Sequence, residues 1–372
     1  TGQYLHFPQG NGSYVVAQNI ARELGGTQIW AVGEDSSGVF LDGSFPVFAS
    51  HPQSHGPLLS SLNQDSFQDY INNLETGLER ANYSDIAIAH HGFVLASILG
   101  KEQPVITYLH GTEMELLENT PSDLVKRTIR EGISRSRRVI AISPIQKRMA
   151  ERLFENELNH EVDLISNGVD IDRFRDYGPL NEETRNQYQI DPNSKLVLFA
   201  GRLTEQKGVE TLISAFSDKD FGDDKQLVIV GSGSLEPRLK SLASNLGSPA
   251  RFIPAVPQTE LAKLMSAADV FAMPSVFEPF GLVCIEALAS GTPVVASNVG
   301  ILKDLVKHGE GGYVFERTKD EEENIEQLKG AIDNTLNLED STIRERTREV
   351  REDYSWEKLG SELNRIIQEI NN

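Results

Sequence analysis

Short apolar runs alternate with helical stretches along this chain in two successive blocks, and this alternation limits the fold more than any other feature. Each run spans three to five residues, which is the length of a buried strand. The runs lie at residues 28–32, 86–89, 105–109, 139–142 and 162–165 in the first block, and at 196–200, 227–230, 251–253, 270–272 and 294–296 in the second. Strands that alternate with helices form parallel sheets. The sequence therefore predicts an α/β protein with two sheets.

The segments between these runs are predicted to form helices or connections. Predicted helices cover residues 14–24, 208–216, 236–246 and 259–267, with Ser13 as the N-cap of the first, and residues 5–7 end a strand before it. The polar region 170–194 predicts a hinge between the blocks, near residues 168–195. The charge-rich stretch 316–353 predicts a solvated helix, and residues 356–370 predict a closing helix. A length of 372 residues also favours two domains.

Acidic residues exceed basic residues by 55 to 35, which gives a net charge of −20. This excess argues against nucleic acid or an anionic membrane surface as the principal partner. A locally basic patch stays open as an alternative. Two origins of the acidity also stay open, namely a salt-rich cytoplasm or an ordinary acidic enzyme.

The compartment is predicted from three further features. No apolar run reaches the roughly 18–20 residues of a membrane helix, and residues 1–5 lack the basic and apolar regions of a signal peptide. The single cysteine, Cys284, excludes an internal disulfide and fits a reducing compartment. We therefore expect a cytoplasmic protein without an integral membrane segment, whose oligomeric state the sequence leaves open.

Two cations follow the first strand of the second block. Gly201-Arg202 and Lys207-Gly208 lie between a predicted strand and a predicted helix, where ligands bind in doubly wound sheets. Arg202 and Lys207 could converge on a diphosphate, since arginine offers a planar fork of donors and lysine a point charge. The alternative is a pair of solvated surface charges.

Two carboxylates follow another strand of the same block. Gly281 permits close backbone approach at a helix start, where free N–H groups attract phosphate. Glu286, about one turn into the helix, is suited to ribose hydroxyls, and Glu278 is suited to sugar hydroxyls. The alternative is a helix start whose acidic residues suit the macrodipole. From the residues alone, Leu282, Val283 and Ile285 are better explained as core.

Other candidate positions are weaker. The turn Gly10-Asn11-Gly12 resembles a phosphate-approach loop but is not a full glycine fingerprint. Histidines end two predicted strands and could face a ligand or be structural: His90, His91 and His110. Asp170 and Asp172 form a D-x-D at the predicted hinge, for which we expect no metal. The sequence has no zinc spacing, Walker loop or nucleophile elbow.

Together these segments resemble the retaining glycosyltransferases of family 4, which have the GT-B fold, nearly from end to end. The strongest element is residues 278–282 followed by Glu286, the E-x7-E signature, in the expected order with residues 201–203 and 207–208. Residues 167–170, 230–233 and 289–296 are similar to the family as well. Two departures are Ile301-Leu302 after Gly300, where many members have a second Gly and a Pro, and Asn11, where the family often has Gly.

The resemblance implies the GT-B architecture, with two Rossmann-like domains facing across a cleft. Residues 1–168 would form an acceptor-binding domain, with a C-terminal helix of about residues 354–372 packing back on it. Residues 169–353 would form the nucleotide-sugar-binding domain.

The resemblance also implies roles for single residues. Arg202 and Lys207 would neutralise the donor diphosphate, Glu286 would bind ribose, Glu278 would bind sugar hydroxyls, and His110 would position the reacting sugar. The expected catalytic set is His110, Arg202, Lys207 and Glu278. Further donor contacts are expected from Gly12, Gly201, Val256, Phe280, Gly281, Leu282 and Val283. Acceptor contacts are expected from Asn11, His91 and His110.

The implied reaction transfers a sugar from a nucleoside diphosphate sugar to an acceptor hydroxyl with retention. UDP is favoured over GDP and ADP, with no metal and no cofactor besides the donor. The partners would be this small-molecule donor and an acceptor that the sequence does not identify. Peripheral membrane contact through a lipid-linked acceptor stays open, although no basic amphipathic helix supports it.

Three other functions compete with this interpretation. A dehydrogenase predicts a full glycine fingerprint with an acidic residue about 20 positions later, which neither block supplies. A nucleotide-sugar epimerase would lack the E-x7-E context. A non-catalytic nucleotide-sugar-binding protein, or a subunit of a larger assembly, stays open as an alternative, although the intact phosphate and sugar positions weigh against it.

Overall fold

The protein is described by a computed structural model. It covers residues 86–372 except 91, 92, 223 and 279, together with residues 16, 19, 20, 22–24, 27–32, 38–40, 45–49, 65, 67–69, 71, 72 and 75. The chain forms two compact units. Unit 1 comprises Thr1–Gly168 and Trp356–Asn372, and unit 2 comprises Val169–Ser355.

Unit 1 contains a seven-stranded sheet of order β2-β1-β3-β4-β5-β6-β7. Its strands are β1 (Thr27–Val32), β2 (Gly38–Phe40), β3 (Phe45–Ala49), β4 (Ala87–His90), β5 (Val105–Leu109), β6 (Arg138–Ala141) and β7 (Asp163–Leu164). The pairing of β1 with β2 is antiparallel and the others are parallel. The described helices of unit 1 that have defined bounds are α1 (Phe93–Leu99), α2 (Thr112–Asn119), α3 (Asp123–Arg135), α4 (Pro144–Leu153) and α14 (Trp356–Asn371).

One hydrophobic core lies between helices α1–α4 and one face of this sheet. Alternate strand residues point into it, for example Val105 and Leu109 of β5, as the two-residue period of a strand requires. Two helices begin at serine caps: the Ser122 hydroxyl accepts from the Val125 N–H, and the Ser143 hydroxyl accepts from the Gln146 N–H. The last helix, α14, belongs to this unit and is tied to β6 by an ion pair between Arg138 and Glu369 at 3.1 Å.

Unit 2 contains a six-stranded, wholly parallel sheet of order β10-β9-β8-β11-β12-β13. Its strands are β8 (Lys195–Ala200), β9 (Lys225–Val230), β10 (Arg251–Ile253), β11 (Val270–Met273), β12 (Val294–Ser297) and β13 (Gly312–Phe315). Its helices are α5 (Leu180–Gln187), α6 (Val209–Ala215), α7 (Lys219–Gly222), α8 (Glu236–Leu246), α9 (Gln258–Ala267), α10 (Leu282–Ala289), α11 (Leu302–Val306), α12 (Glu321–Leu336) and α13 (Asp340–Asp353). Numbered within the unit, the strand order is 3-2-1-4-5-6, so the direction of winding reverses between β8 and β11.

Most predicted elements are confirmed within one or two residues, and three strands were missed, namely β2, β3 and β13. The prediction of a hinge over 170–194 was wrong in part. Helix α5 lies there and is fixed within unit 2, because Arg185 pairs with Asp269 at 2.6 Å. The predicted solvated helix over 316–353 is two helices, and α12 buries Leu328 and Ile332 completely in the core of unit 2.

The first predicted strand, residues 5–7, lies outside the described residues, as do most of residues 14–24. None of the helices in the described part of the chain combines the length and apolarity required to cross a bilayer.

Candidate active site

The carboxyl ends of β8 and β11 lie side by side in unit 2, because these strands are neighbours in the sheet. Winding reverses between them, and the crevice outside such a reversal is where open α/β sheets bind ligands. The segment after β8 carries Arg202 and Lys207, and the segment after β11 carries Glu278. The topology thus brings together residues that lie far apart in sequence.

The segment after β8 turns tightly against its neighbour. Residues Glu205–Lys207 form a 3-10 turn that ends at Gly208, whose φ is +63°. A Cβ at Gly208 would lie 2.0 Å from the carbonyl oxygen of Pro274, so only glycine fits this approach. The Val276 N–H donates to the Gln206 carbonyl at 2.8 Å. The two segments are therefore held together by their backbones.

Lys207 and Glu278 form an ion pair at the contact between these segments. Lys207 Nζ lies 2.5 Å from Glu278 Oε2, and the two side chains are 17% and 10% exposed. A close pair with little exposure to solvent is screened less than a surface pair. Arg202 is instead exposed and has no ion-pair partner among the described residues. The predicted cations therefore differ, since one is held in place and the other is free to meet a ligand.

Helix α10 begins directly after the Glu278 loop. Gly281 precedes it with a φ of +92°, and its first N–H groups have no acceptor within the helix. Phe280 is buried and contacts the ring of Tyr354 edge-on. Leu282 and Val283 are only half-buried, so the interpretation of both as core was wrong, whereas Ile285 is fully buried as expected.

Glu286 lies on α10 and is 7% exposed. Burial raises the pKa of its carboxyl from 4.5 to about 7; the charge of Arg173 opposes this rise and the charge of Asp170 adds to it. Neither a hydrogen bond nor an ion pair to this carboxylate is found in the described part of the chain. A buried acid without a partner is destabilising unless a ligand uses it, so Glu286 is a strong candidate for binding.

No sequence motif marks Arg317, which follows β13 and supports the loop that carries Glu278. Its Nη1 donates to the Thr211 hydroxyl at 3.1 Å and to the Pro274 carbonyl at 3.4 Å. Its Nη2 lies 3.2 Å from a carboxylate oxygen of Glu321. Arg317 therefore connects the start of the Glu278 loop to helices α6 and α12.

The loops after β9 and β10 are built from small residues. A Cβ at Gly231 would lie 1.9 Å from the Gly201 carbonyl oxygen, which holds the β9 loop against the residue after β8. Val256 is half-buried in the loop after β10. Asp170 of the D-x-D is paired with Arg173 at 3.1 Å.

Unit 1 contains a cluster of three buried aromatic side chains. His90 Nδ1 lies 3.0 Å from His110 Nε2. Tyr108 stacks on His90 with centroids 5.0 Å apart, and its hydroxyl donates to the Ile165 carbonyl at 3.1 Å. The three other predicted positions of this unit, Asn11, Gly12 and His91, lie outside the described residues.

Family models match most of the chain. The model described as "Glycosyl transferases group 1" matches residues 181–350, and the model described as "Glycosyltransferase Family 4" matches residues 50–173. These ranges include the β8 and β11 segments and His110 respectively.

Two relatives illustrate the similarity in sequence. An uncharacterized glycosyltransferase of Methanocaldococcus jannaschii is 33% identical over 70% of this chain and 67% of its own length. The N-acetyl-alpha-D-glucosaminyl L-malate synthase of Bacillus anthracis is 28% identical over 75% of this chain and 71% of its own.

Solved structures share the fold over nearly the whole chain. Anabaena HepE in complex with UDP-glucose has a TM-score of 0.73 and 18% identity, with 98% of each chain covered. Sucrose-phosphate synthase from Thermosynechococcus elongatus has a TM-score of 0.68 and 22% identity, with 87% of this chain and 88% of that chain covered.

Proposed function

This chain belongs to the glycosyltransferases of group 1 and family 4, which are GT-B enzymes with nucleotide-sugar donors, and from this premise we propose the details of its reaction. The donor is a UDP-sugar. The sugar passes to an acceptor hydroxyl with retention of configuration and without a metal ion. The matches to the family models, the relatives and the solved structures confirm the predicted family, the predicted fold class and the predicted glycosyltransferase activity.

The observation that carries the proposal is the ion pair of Lys207 and Glu278 at the β8–β11 reversal, together with the buried Glu286 on helix α10, which follows the loop that carries Glu278. Lys207 is held by Glu278 at 2.5 Å, and Glu286 is buried without a partner among the described residues. Such a set offers a cation to a diphosphate and carboxylates to hydroxyl groups. We assign diphosphate binding to Arg202, Lys207 and the first N–H groups of α10.

The carboxylates bind the hydroxyl groups of the donor in this proposal. Glu286 accepts hydrogen bonds from ribose, and Glu278 accepts them from the sugar, beside the backbone of Gly201, Phe280 and Gly281. Half-buried apolar side chains line the donor, namely Val256, Leu282 and Val283. In unit 1, Gly12 approaches the diphosphate, His110 positions the reacting sugar, and Asn11 and His91 contact the acceptor.

Charge stabilisation by side chains replaces a metal in this proposal. Negative charge that develops on the departing diphosphate is met by Arg202 and Lys207, which are placed before the reaction begins. The glycosidic bond to the diphosphate breaks as the bond to the acceptor oxygen forms on the same face. The acceptor proton passes to the departing phosphate oxygen, so the step needs no other base.

Two observations support UDP. The segments 231–234 and 254–257, which follow β9 and β10, contain only Gly, Ser, Pro, Ala and Val. They therefore offer no carboxylate to the amino and imino groups of guanine. A solved structure of the same fold, Anabaena HepE, holds UDP-glucose.

Calorimetry with UDP-, GDP- and ADP-glucose, on wild type and on Glu286→Ala, tests the proposal. We expect UDP-glucose to bind wild type and to lose most of its affinity for the variant. Glu310→Ala, which removes an exposed carboxylate at a distance from these segments, is the control and should bind like wild type. Failure of all three donors to bind the folded protein, at both low and high salt, would refute the proposal. Binding without turnover toward any acceptor or water would favour the non-catalytic alternative.

A further inference from the structure

The buried pair of histidines in unit 1 has a geometry that bears on how His110 acts. His90 ends β4, and His110 directly follows β5, its parallel neighbour in the sheet. The ring nitrogens His90 Nδ1 and His110 Nε2 lie 3.0 Å apart, and the two residues are 0% and 8% exposed. A hydrogen bond of this length away from solvent fixes both rings.

The bond requires one nitrogen to carry a proton and the other to lack it. A neutral imidazole has one donor and one acceptor nitrogen, and an imidazolium has two donors. Two imidazolium rings would therefore face each other with N–H groups, and the bond would be lost. It follows that the pair holds a single proton between Nδ1 and Nε2 and that at most one of the rings is charged.

Two further contacts restrain the pair of histidines. Tyr108 is fully buried, stacks on His90 and is 5.4 Å from the His110 ring, centroid to centroid. The backbone N–H of His110 donates to Glu113 Oε2 at 3.3 Å. The ring of His110 and the backbone that carries it are thus both restrained, as preorganised groups in active sites usually are.

We propose that His90 is a positioning residue that fixes the ring orientation of His110 and couples the tautomer of His110 to its own. The proposal rests on the proposed function, since that function places His110 beside the reacting sugar. His90 itself has no contact with the substrate in this arrangement.

Three variants separate positioning from packing. His90→Phe keeps a ring against Tyr108 and removes the nitrogen. His90→Asn restores a polar atom near the position of Nδ1. Tyr108→Phe is the matched control, because it removes the hydrogen bond to Ile165 from the same cluster and leaves both histidines intact.

The first readout is ¹⁵N NMR of the histidine side chains in the unliganded protein. We expect the same proportion of the two His110 tautomers in wild type, in Tyr108→Phe and in His90→Asn, and a different proportion in His90→Phe, where the hydrogen bond between the rings is lost. This readout does not depend on transfer activity, so it tests the pair even if the proposed function fails.

The second readout is the kinetics of sugar transfer. His90→Phe should lower kcat roughly 10- to 100-fold with little change in the donor KM, as when other groups that orient a functional imidazole are removed. His90→Asn should recover most of the loss. An unchanged His110 spectrum in His90→Phe would overturn the proposal. Equal losses of kcat in His90→Phe and Tyr108→Phe would overturn it too, because they would show a role in packing alone.

Discussion

Glu286 illustrates at the scale of one residue how a binding group can weaken the unliganded fold. Its carboxyl is buried, and its pKa is raised to about 7, first by burial and then by the charge of Asp170. Between pH 4.5 and 7 the folded state therefore holds a proton that the unfolded state has released. The free energy of unfolding therefore falls as the pH rises through that range, and it stays lower above it.

We expect Glu286→Gln to be more stable than wild type at pH 8 and about equal at pH 4.5. A rise from 4.5 to about 7 corresponds to an upper bound of about 3 kcal/mol in the free energy of unfolding. Urea unfolding at both pH values measures it, with Glu310→Gln, an exposed carboxylate, as the control. The same variant should bind UDP-glucose less tightly. Equal stability of variant and wild type at pH 8 would contradict this account of Glu286.

Lys207 and Glu278 lead to a second prediction at this scale. Lys207→Met leaves a buried carboxylate without its cation, so we expect a loss of about 3 kcal/mol in stability and of roughly 10²–10³ in kcat. Adding Glu278→Gln should restore much of the stability but none of the activity. Melting temperature and initial rates measure the two effects.

The exposed pair of Lys240 and Glu236, at 2.8 Å, provides the matched control. Lys240→Met should change stability by less than about 1 kcal/mol and leave kcat unchanged. If Lys207→Met behaved like Lys240→Met in the rate of transfer, Lys207 would have no part in stabilising the departing diphosphate.

Single residues of the site could be predicted from the sequence only where a local motif marked them. Arg202, Lys207, Glu278 and Glu286 stand in short segments after predicted strands. The ion pair between Lys207 and Glu278 could not be predicted, because these residues are 71 positions apart and meet only through the pairing of β8 with β11. Arg317 had no motif at all, since its role depends on where β13 ends.

At the scale of elements, the loops after β8 and β11 meet at Gly208 so closely that no larger residue fits there. Gly208→Ala would place a methyl group 2.0 Å from the Pro274 carbonyl oxygen, and φ there is +63°. We expect the loop that carries Glu278 to be displaced, with a higher donor KM and a loss of stability beyond the roughly 1–2 kcal/mol of the backbone strain alone. Steady-state kinetics and thermal unfolding measure both.

Gly247 supplies the control for this substitution. It has nearly the same φ, +67°, and a Cβ there would meet nothing within 4 Å. Gly247→Ala should therefore show the backbone strain without any effect on the donor KM. An unchanged donor KM in Gly208→Ala would mean that the contact between the two loops does not shape the site.

Helices and strands with a clear hydrophobic periodicity were predicted well. Those that contain proline, glycine or many charged residues were predicted poorly. Strand β5 and helix α8 have the predicted bounds. Strands β3 and β13 contain Pro46 and Gly312, and proline and glycine count against a strand when only the sequence is read. Helix α12 is so rich in charged residues that its sequence predicts a solvated helix, although Leu328 and Ile332 form a buried stripe along it.

At the scale of the whole molecule, the net charge of −20 acts against compactness. We expect the urea midpoint to rise with KCl, with much of the gain reached near 0.1 M, where the Debye length is about 10 Å. Tetramethylammonium chloride at equal ionic strength is the control and should act alike if screening is the cause. A midpoint that falls with salt would show that the ion pairs of the surface outweigh the repulsion.

Unit 1 is assembled from two stretches of chain, and unit 2 lies between them in sequence. The chain enters and leaves unit 2 at adjacent residues, since Val169 bridges Ser355 and donates to the Tyr354 carbonyl at 2.6 Å. A ribosome makes residues 169–355 before α14. The second unit can thus finish folding while the first, although begun earlier, still waits for the buried face of its last helix, Leu359, Leu363 and Ile366.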